Sequence, residues 1–101
     1  MQQLINQAQT ALKQLQTARS AWTDKNDLVQ LEAWGKAARA AQATVLSILE
    51  QTKTLASSEV EVIARQLSIV TVEAGLGSEE DYREAVEEFE RLVTEAYVGE
   101  T

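Results

Sequence analysis

Apolar residues recur every three or four positions along almost the whole chain, the period of one helix face rather than of a strand. In the first segment Met1, Ile5, Ala8, Leu12, Leu15, Arg19 and Trp22 alternate steps of four and three. This heptad seam is broadened by Leu4, Ala11 and Ala18, and it predicts a helix over 2–22. The polar run TDKND, Thr23 to Asp27, reads as a turn, with Asp27 or Asp24 as the N-cap of the next helix. A second seam, Leu31, Trp34, Ala38, Ala41, Val45, Ile48, Thr52 and Leu55, predicts a helix over 28–55, a rod of roughly 40 Å. Its middle is small-residue rich: Gly35, Ala37, Ala38, Ala40, Ala41 and Ala43. If the two helices fold back on each other, Leu12 and Leu15 face Ala38 and Gly35 and the backbones approach closely. A mid-helix Gly costs about 1 kcal/mol relative to Ala, so Gly35 predicts either that close approach or a kink.

The third segment opens with SSEVE, in which Ser58 and Glu61 form a capping-box pair. Its seam is Val60, Ile63, Leu67, Val70 and Ala74, but Val62, Ile69 and Val72 fall off that seam. This helix is therefore expected to sit deepest, or to offer a second apolar face to a partner. Its LSIVTV run is β-prone, yet a lone strand would leave its backbone groups unpaired, which favours helix. Gly75 to Ser78 (GLGS) ends the segment. Ser78 with Asp81 starts a last helix over 79–98, with seam Tyr82, Val86, Phe89, Val93 and Ala96 and with Gly99 as its stop. Four helices with short connections predict an all-α, up-and-down antiparallel four-helix bundle with a long second helix, one domain over 1–101.

Composition removes several chemistries. The chain has 101 residues with no Cys, His or Pro. It therefore lacks disulfides, thiolate or imidazole metal ligands, and the Ser-His and Cys-His dyads. GLGS lacks the Lys of a phosphate loop, and no Ser or Thr has a base in a recognisable arrangement. The N-terminus is too polar for a signal peptide. The most apolar run, 60–74, is too short for a bilayer and contains Glu61, Arg65 and Glu73. The expectation is a cytoplasmic, non-enzymatic protein with no cofactor, no metal and no membrane association.

Charge is uneven. Residues 1–78 carry seven acids and seven bases, and residues 79–101 carry nine acids against Arg83 and Arg91, which accounts for the whole net charge of −7. With no basic patch, direct nucleic-acid binding is not expected. On the last helix Glu79, Arg83, Glu87, Arg91 and Glu95 form a self-neutralising ladder at four-residue spacing. Glu80, Glu84 and Glu88 form a second row that reads as lacking a cation of its own. Glu84-x-x-Glu87 superficially resembles the first carboxylate pair of the all-α nucleoside-triphosphate pyrophosphohydrolases. The second pair that family needs, Glu-x-x-Asp, occurs nowhere in the chain, so the assignment is rejected. The Trp34-Gly35 pair is similar to the Trp-x-Gly of small type VII secreted hairpins, but its spacing and its place inside a helix do not match.

Arg19 occupies a seam position, so it needs either a partner, for which Glu32 lies about opposite, or a path outward at the bundle end. Trp22 and Trp34 flank the first turn as core or as an interface hot spot. The favoured function is a helical protein–protein interaction module, an adaptor, small chaperone-like or oligomerisation domain. It binds another protein, or itself as a homodimer, through Val62, Ile69 and Val72. The alternative is an acidic inhibitor or nucleic-acid mimic that fills a basic site on a partner through Glu80, Glu84 and Glu88.

Overall fold

The computed structural model describes residues 2–55 and 58–99, with side chains at 2–53 and 59–96. The chain forms four α-helices: α1 (Gln2–Ala21), α2 (Leu28–Leu55), α3 (Ser58–Leu76) and α4 (Glu79–Gly99), with no strand among the described residues. They make an up-and-down antiparallel bundle measuring 45 × 24 × 16 Å, with α2 the longest element. The β-prone run of α3 is helical throughout.

The helix ends stem from local chemistry. Asp27 Oδ1 accepts from the backbone N–H of Val29 and Gln30, at 2.9 and 3.2 Å, and so caps α2. Asp24 shapes the turn instead, accepting from Asn26 N at 2.9 Å. Gln30 Oε1 ties the turn down by accepting from Thr23 N and Asp24 N. At the α3–α4 corner, Gly77 N donates to Glu73 O at 2.9 Å, and Ser78 Oγ accepts from Asp81 N at 3.1 Å. Two ends differ from the sequence reading by one residue: α1 ends at Ala21, and α4 continues through Gly99. The Ser58 side chain, Met1 and the Leu55 side chain lie outside the described residues.

α3 is the hub. It packs against α1, α2 and α4, and α1 also pairs with α2, whereas α1 and α4 approach each other much less closely. The core runs through Ile5, Ala8, Leu12 and Leu15 of α1, Trp34, Ala41, Val45 and Ile48 of α2, all five seam residues of α3, and Ala85, Phe89, Val93 and Ala96 of α4. The buried hydroxyls of Thr52 and Thr71 donate to Leu49 O and Leu67 O, so neither is left unsatisfied.

Two expectations about α2 do not hold. Leu31 is 41% exposed, because the buried residues of α2 begin only at Trp34 and most of the residues before it face solvent. The close helix approach is not at Gly35. A Cβ there would meet only Arg39 of the same helix, at 3.3 Å, and α2 runs unbroken through the position. The intimate glycine contact is Gly75 of α3, whose Cβ position lies 3.5 Å from the Trp34 indole.

Candidate partner-binding surface

α3 carries apolar residues on two faces. Val60, Ile63, Ala64, Leu67, Val70, Thr71 and Ala74 are buried. Val62, Ile69 and Val72 are 46, 48 and 49% exposed, and Leu76, the last helical residue, is 88% exposed. On a wheel of 100° per residue these four lie about 180° from the midpoint of the buried set. With Arg65 they occupy a three-four spaced stripe, 62, 65, 69, 72 and 76, about 21 Å long. The core of the bundle therefore uses one side of α3 and leaves a second seam facing outward.

The two edges of this stripe differ in charge. On the α2 side Arg65 pairs with Glu61 at 2.8 Å, and Lys53 pairs with Glu50 at 3.3 Å, beside the exposed Leu46. On the α4 side Gln66, Ile69, Glu73, Asp81, Glu84 and Ala85 line one open groove, crossed by a 3.0 Å hydrogen bond from Gln66 Nε2 to Ala85 O. A second groove nearer the far end joins Val62 to Glu59, Leu92, Glu95 and Ala96. Val62, Ile69 and Glu84, read from sequence as belonging to rival binding modes, thus lie along one surface. Val72 and Glu80 are exposed but line neither groove.

The acidic rows of α4 are paired differently from the sequence reading. Glu88 does have a cation: Arg91 forks between Glu88, three residues before it, and Glu95, four after. The hydrogen bond from Arg91 holds the Glu88 carboxyl below the usual carboxylate range, and in turn the Glu88 carboxylate raises the Arg91 pKa. The expected ladder breaks because Glu79 turns away to Arg19 and Arg91 reaches Glu88 rather than Glu87.

At the other end of α4 Arg19 has a different partner from the one expected. Its Nε donates to Ala74 O at 3.2 Å, its Nη2 donates to Glu79 at 2.7 Å, and its guanidinium lies 3.9 Å from the Tyr82 ring centroid. Glu32 is not among these partners; the end of α3 and the start of α4 supply them instead. The hydrogen bond from Arg19 holds the Glu79 carboxyl below its ordinary range, and burial raises the Tyr82 phenol. Trp22 and Trp34 stack at 5.4 Å with 14° between their planes, and Lys25 Nζ lies over Trp22 at 3.6 Å. The buried Trp22 indole N–H finds no acceptor among the described residues. Trp34 is core and Trp22 packs partly buried against it, so the pair closes the bundle end.

Among the described residues no group of three or more acids is arranged to hold a metal ion, and no helix is long and apolar enough to cross a membrane. Comparison of the chain with protein-family models, curated proteins and solved structures finds no match.

Proposed function

We propose that the chain is a non-enzymatic helical protein–protein interaction module whose contact surface is the outer face of α3. The observation that supports this is the exposure of Val62, Ile69, Val72 and Leu76 as one seam opposite the core. Scattered exposed aliphatic residues are ordinary on any protein surface; an aligned stripe of four on one helix supports reading this face as a contact surface. Covering a whole Val, Leu or Ile side chain is worth about 1.5–3 kcal/mol. Four partly exposed ones give a partner a useful apolar contribution without demanding that the protomer unfold to expose them.

The acidic-mimic alternative draws less support. Of the three carboxylates assigned to it, Glu88 shares Arg91 with Glu95 and is held to it by two hydrogen bonds. That leaves Glu80 and Glu84 as a short exposed pair.

The test is site-specific photocrosslinking in the host cell. A photoreactive residue at position 62 or 69 should yield discrete protein adducts, whereas one at exposed Gln14 on α1 should not. An absence of adducts at both α3 positions, with adducts at position 84 alone, would overturn this reading in favour of the acidic one.

A further inference from the structure

The charge around the stripe narrows its partner. Along its α4 edge stand Glu73, Asp81 and Glu84, which share a groove with Ile69 and make no ion pair among the described residues. Further along, Glu59 and Glu95 flank Val62, but Glu95 is paired with Arg91 and adds little to the margin. Along the α2 edge the charges are mixed and paired, Arg65 with Glu61 and Lys53 with Glu50. The surface is thus an apolar seam with one uncompensated acidic margin, on a chain whose net charge is −7.

From this complementarity we infer that the α3 face takes an amphipathic helix of another protein that is apolar along one seam and basic beside it. The inference rests on the interaction-module reading above. The stripe is about 21 Å long, which matches a docked helix of about four turns. Apolar residues of such a helix at three-four spacing meet Val62, Ile69, Val72 and Leu76. Lys or Arg on its flank reaches Glu73, Asp81 and Glu84. A second copy of this chain fits less well. An antiparallel twofold laying α3 on α3 sets each α4 beside the other α4, so like acidic margins meet. A parallel twofold stacks Arg65 on Arg65. Opposite charge across a rim steers and selects partners, and like charge rejects them.

The experiment uses the full chain and two synthetic four-turn helical peptides with the same Leu and Ile seam, one flanked by Lys and the other by Glu. Binding is read by calorimetry at low and high salt, and by methyl NMR of Val62, Ile69 and Val72. The Lys peptide should bind and displace those three methyl signals. Its affinity should fall about tenfold in the Asp81→Asn, Glu84→Gln double variant and similarly at high salt, where charge at the rim is screened. Ile69→Ser should abolish binding while leaving the helical circular dichroism unchanged.

Equal binding of the Glu peptide, or displacement of signals other than those of the α3 face, overturns the inference. If sedimentation shows the chain pairing with itself, and Ile69→Ser abolishes that pairing, the α3 face stands as an interaction surface and the basic-helix partner falls. If neither peptide binds and the chain stays monomeric, with no crosslinks at 62 or 69, both readings fail together.

Discussion

The guanidinium of Arg19 lies 2.7 Å from the carboxylate of Glu79, across 60 residues of chain, and joins the end of α1 to the start of α4. The same side chain donates to Ala74 O in the last turn of α3, where a cation complements the helix C-terminus, and stacks on Tyr82. Because α1 and α4 are not closely packed, this cluster is a principal tie between them. The ion pair itself is worth little, since Glu79 is largely exposed. Most of the loss on substitution comes from the carbonyl hydrogen bond and the ring contact. Arg19→Ala is expected to cost about 1–2 kcal/mol in urea denaturation. Arg19→Lys should recover only part of it, because Lys lacks the planar fork that serves three groups at once.

Acid titration should expose the same contact. The Glu79 carboxyl is held below its ordinary value by the hydrogen bond from Arg19 and by its charge, and Glu88 likewise by Arg91. A carboxyl with a lowered folded-state pKa contributes stability that is fully present above its unfolded value, about 4.3, and is lost as pH falls through the folded value. Acidification also changes the overall charge of the chain, relieving the repulsion of −7 down to a pI of about 4.5 and building positive charge below it, in wild type and variant alike. The informative quantity is therefore a difference. The stability gap between wild type and Glu79→Gln should be present at neutral pH and close as pH drops below about 4. At neutral pH the gap should also shrink in high salt. A gap independent of both pH and salt would show that the ion pair is not its source.

Three glycines should respond in different senses to Ala. At Gly35 a new Cβ meets only the movable end of Arg39, and at Gly75 it makes ordinary contact with the Trp34 ring. Both positions are helical, so each substitution should stabilise by about 0.5–1 kcal/mol. At Gly77 a Cβ falls 2.9 Å from the backbone oxygen of Glu73 and 3.1 Å from its Cα, and backbone cannot step aside as a side-chain end can. Gly77→Ala should cost about 1 kcal/mol or more. Thermal melts of the three single variants check the set; destabilisation by Gly35→Ala would restore a packing role for that glycine.

The sequence carried the helices because its information about them is local. Asp27, Gly77 and Ser78 act within four residues of themselves, and the three-four spacing of Val60, Ile63, Leu67, Val70 and Ala74 is enough to place the core side of α3. The off-seam positions of Val62, Ile69 and Val72 marked its outer side by the same rule. What spacing cannot convey is which ends meet. Glu32 and Glu79 are both acids within plausible reach of Arg19, and only the docking of α3 and α4 decides for Glu79. The choice of Arg91 between Glu87 and Glu88 turned on rotamers, since three-residue and four-residue partners lie at similar distance on a helix. Leu31 fits the α2 seam as well as Trp34 does, but a seam does not say where its neighbours stop.

Two residues one turn-fraction apart on α3 separate the core from the outer stripe. Leu67 is fully buried and Ile69 is about half exposed. Leu67→Ala should cost about 2–5 kcal/mol, the transfer loss plus the cavity left among helices that cannot collapse onto it. Ile69→Ala forfeits only the covered half of its side chain and gains helix propensity, so less than about 1 kcal/mol is expected. Urea denaturation over a range of protein concentrations measures both. If Ile69→Ala proves as costly as Leu67→Ala, and the cost grows with protein concentration, the outer face of α3 is covered in solution by another copy of the chain. A cost that is large but independent of concentration would mean that Ile69 is buried within the protomer, and the stripe would no longer be a free surface.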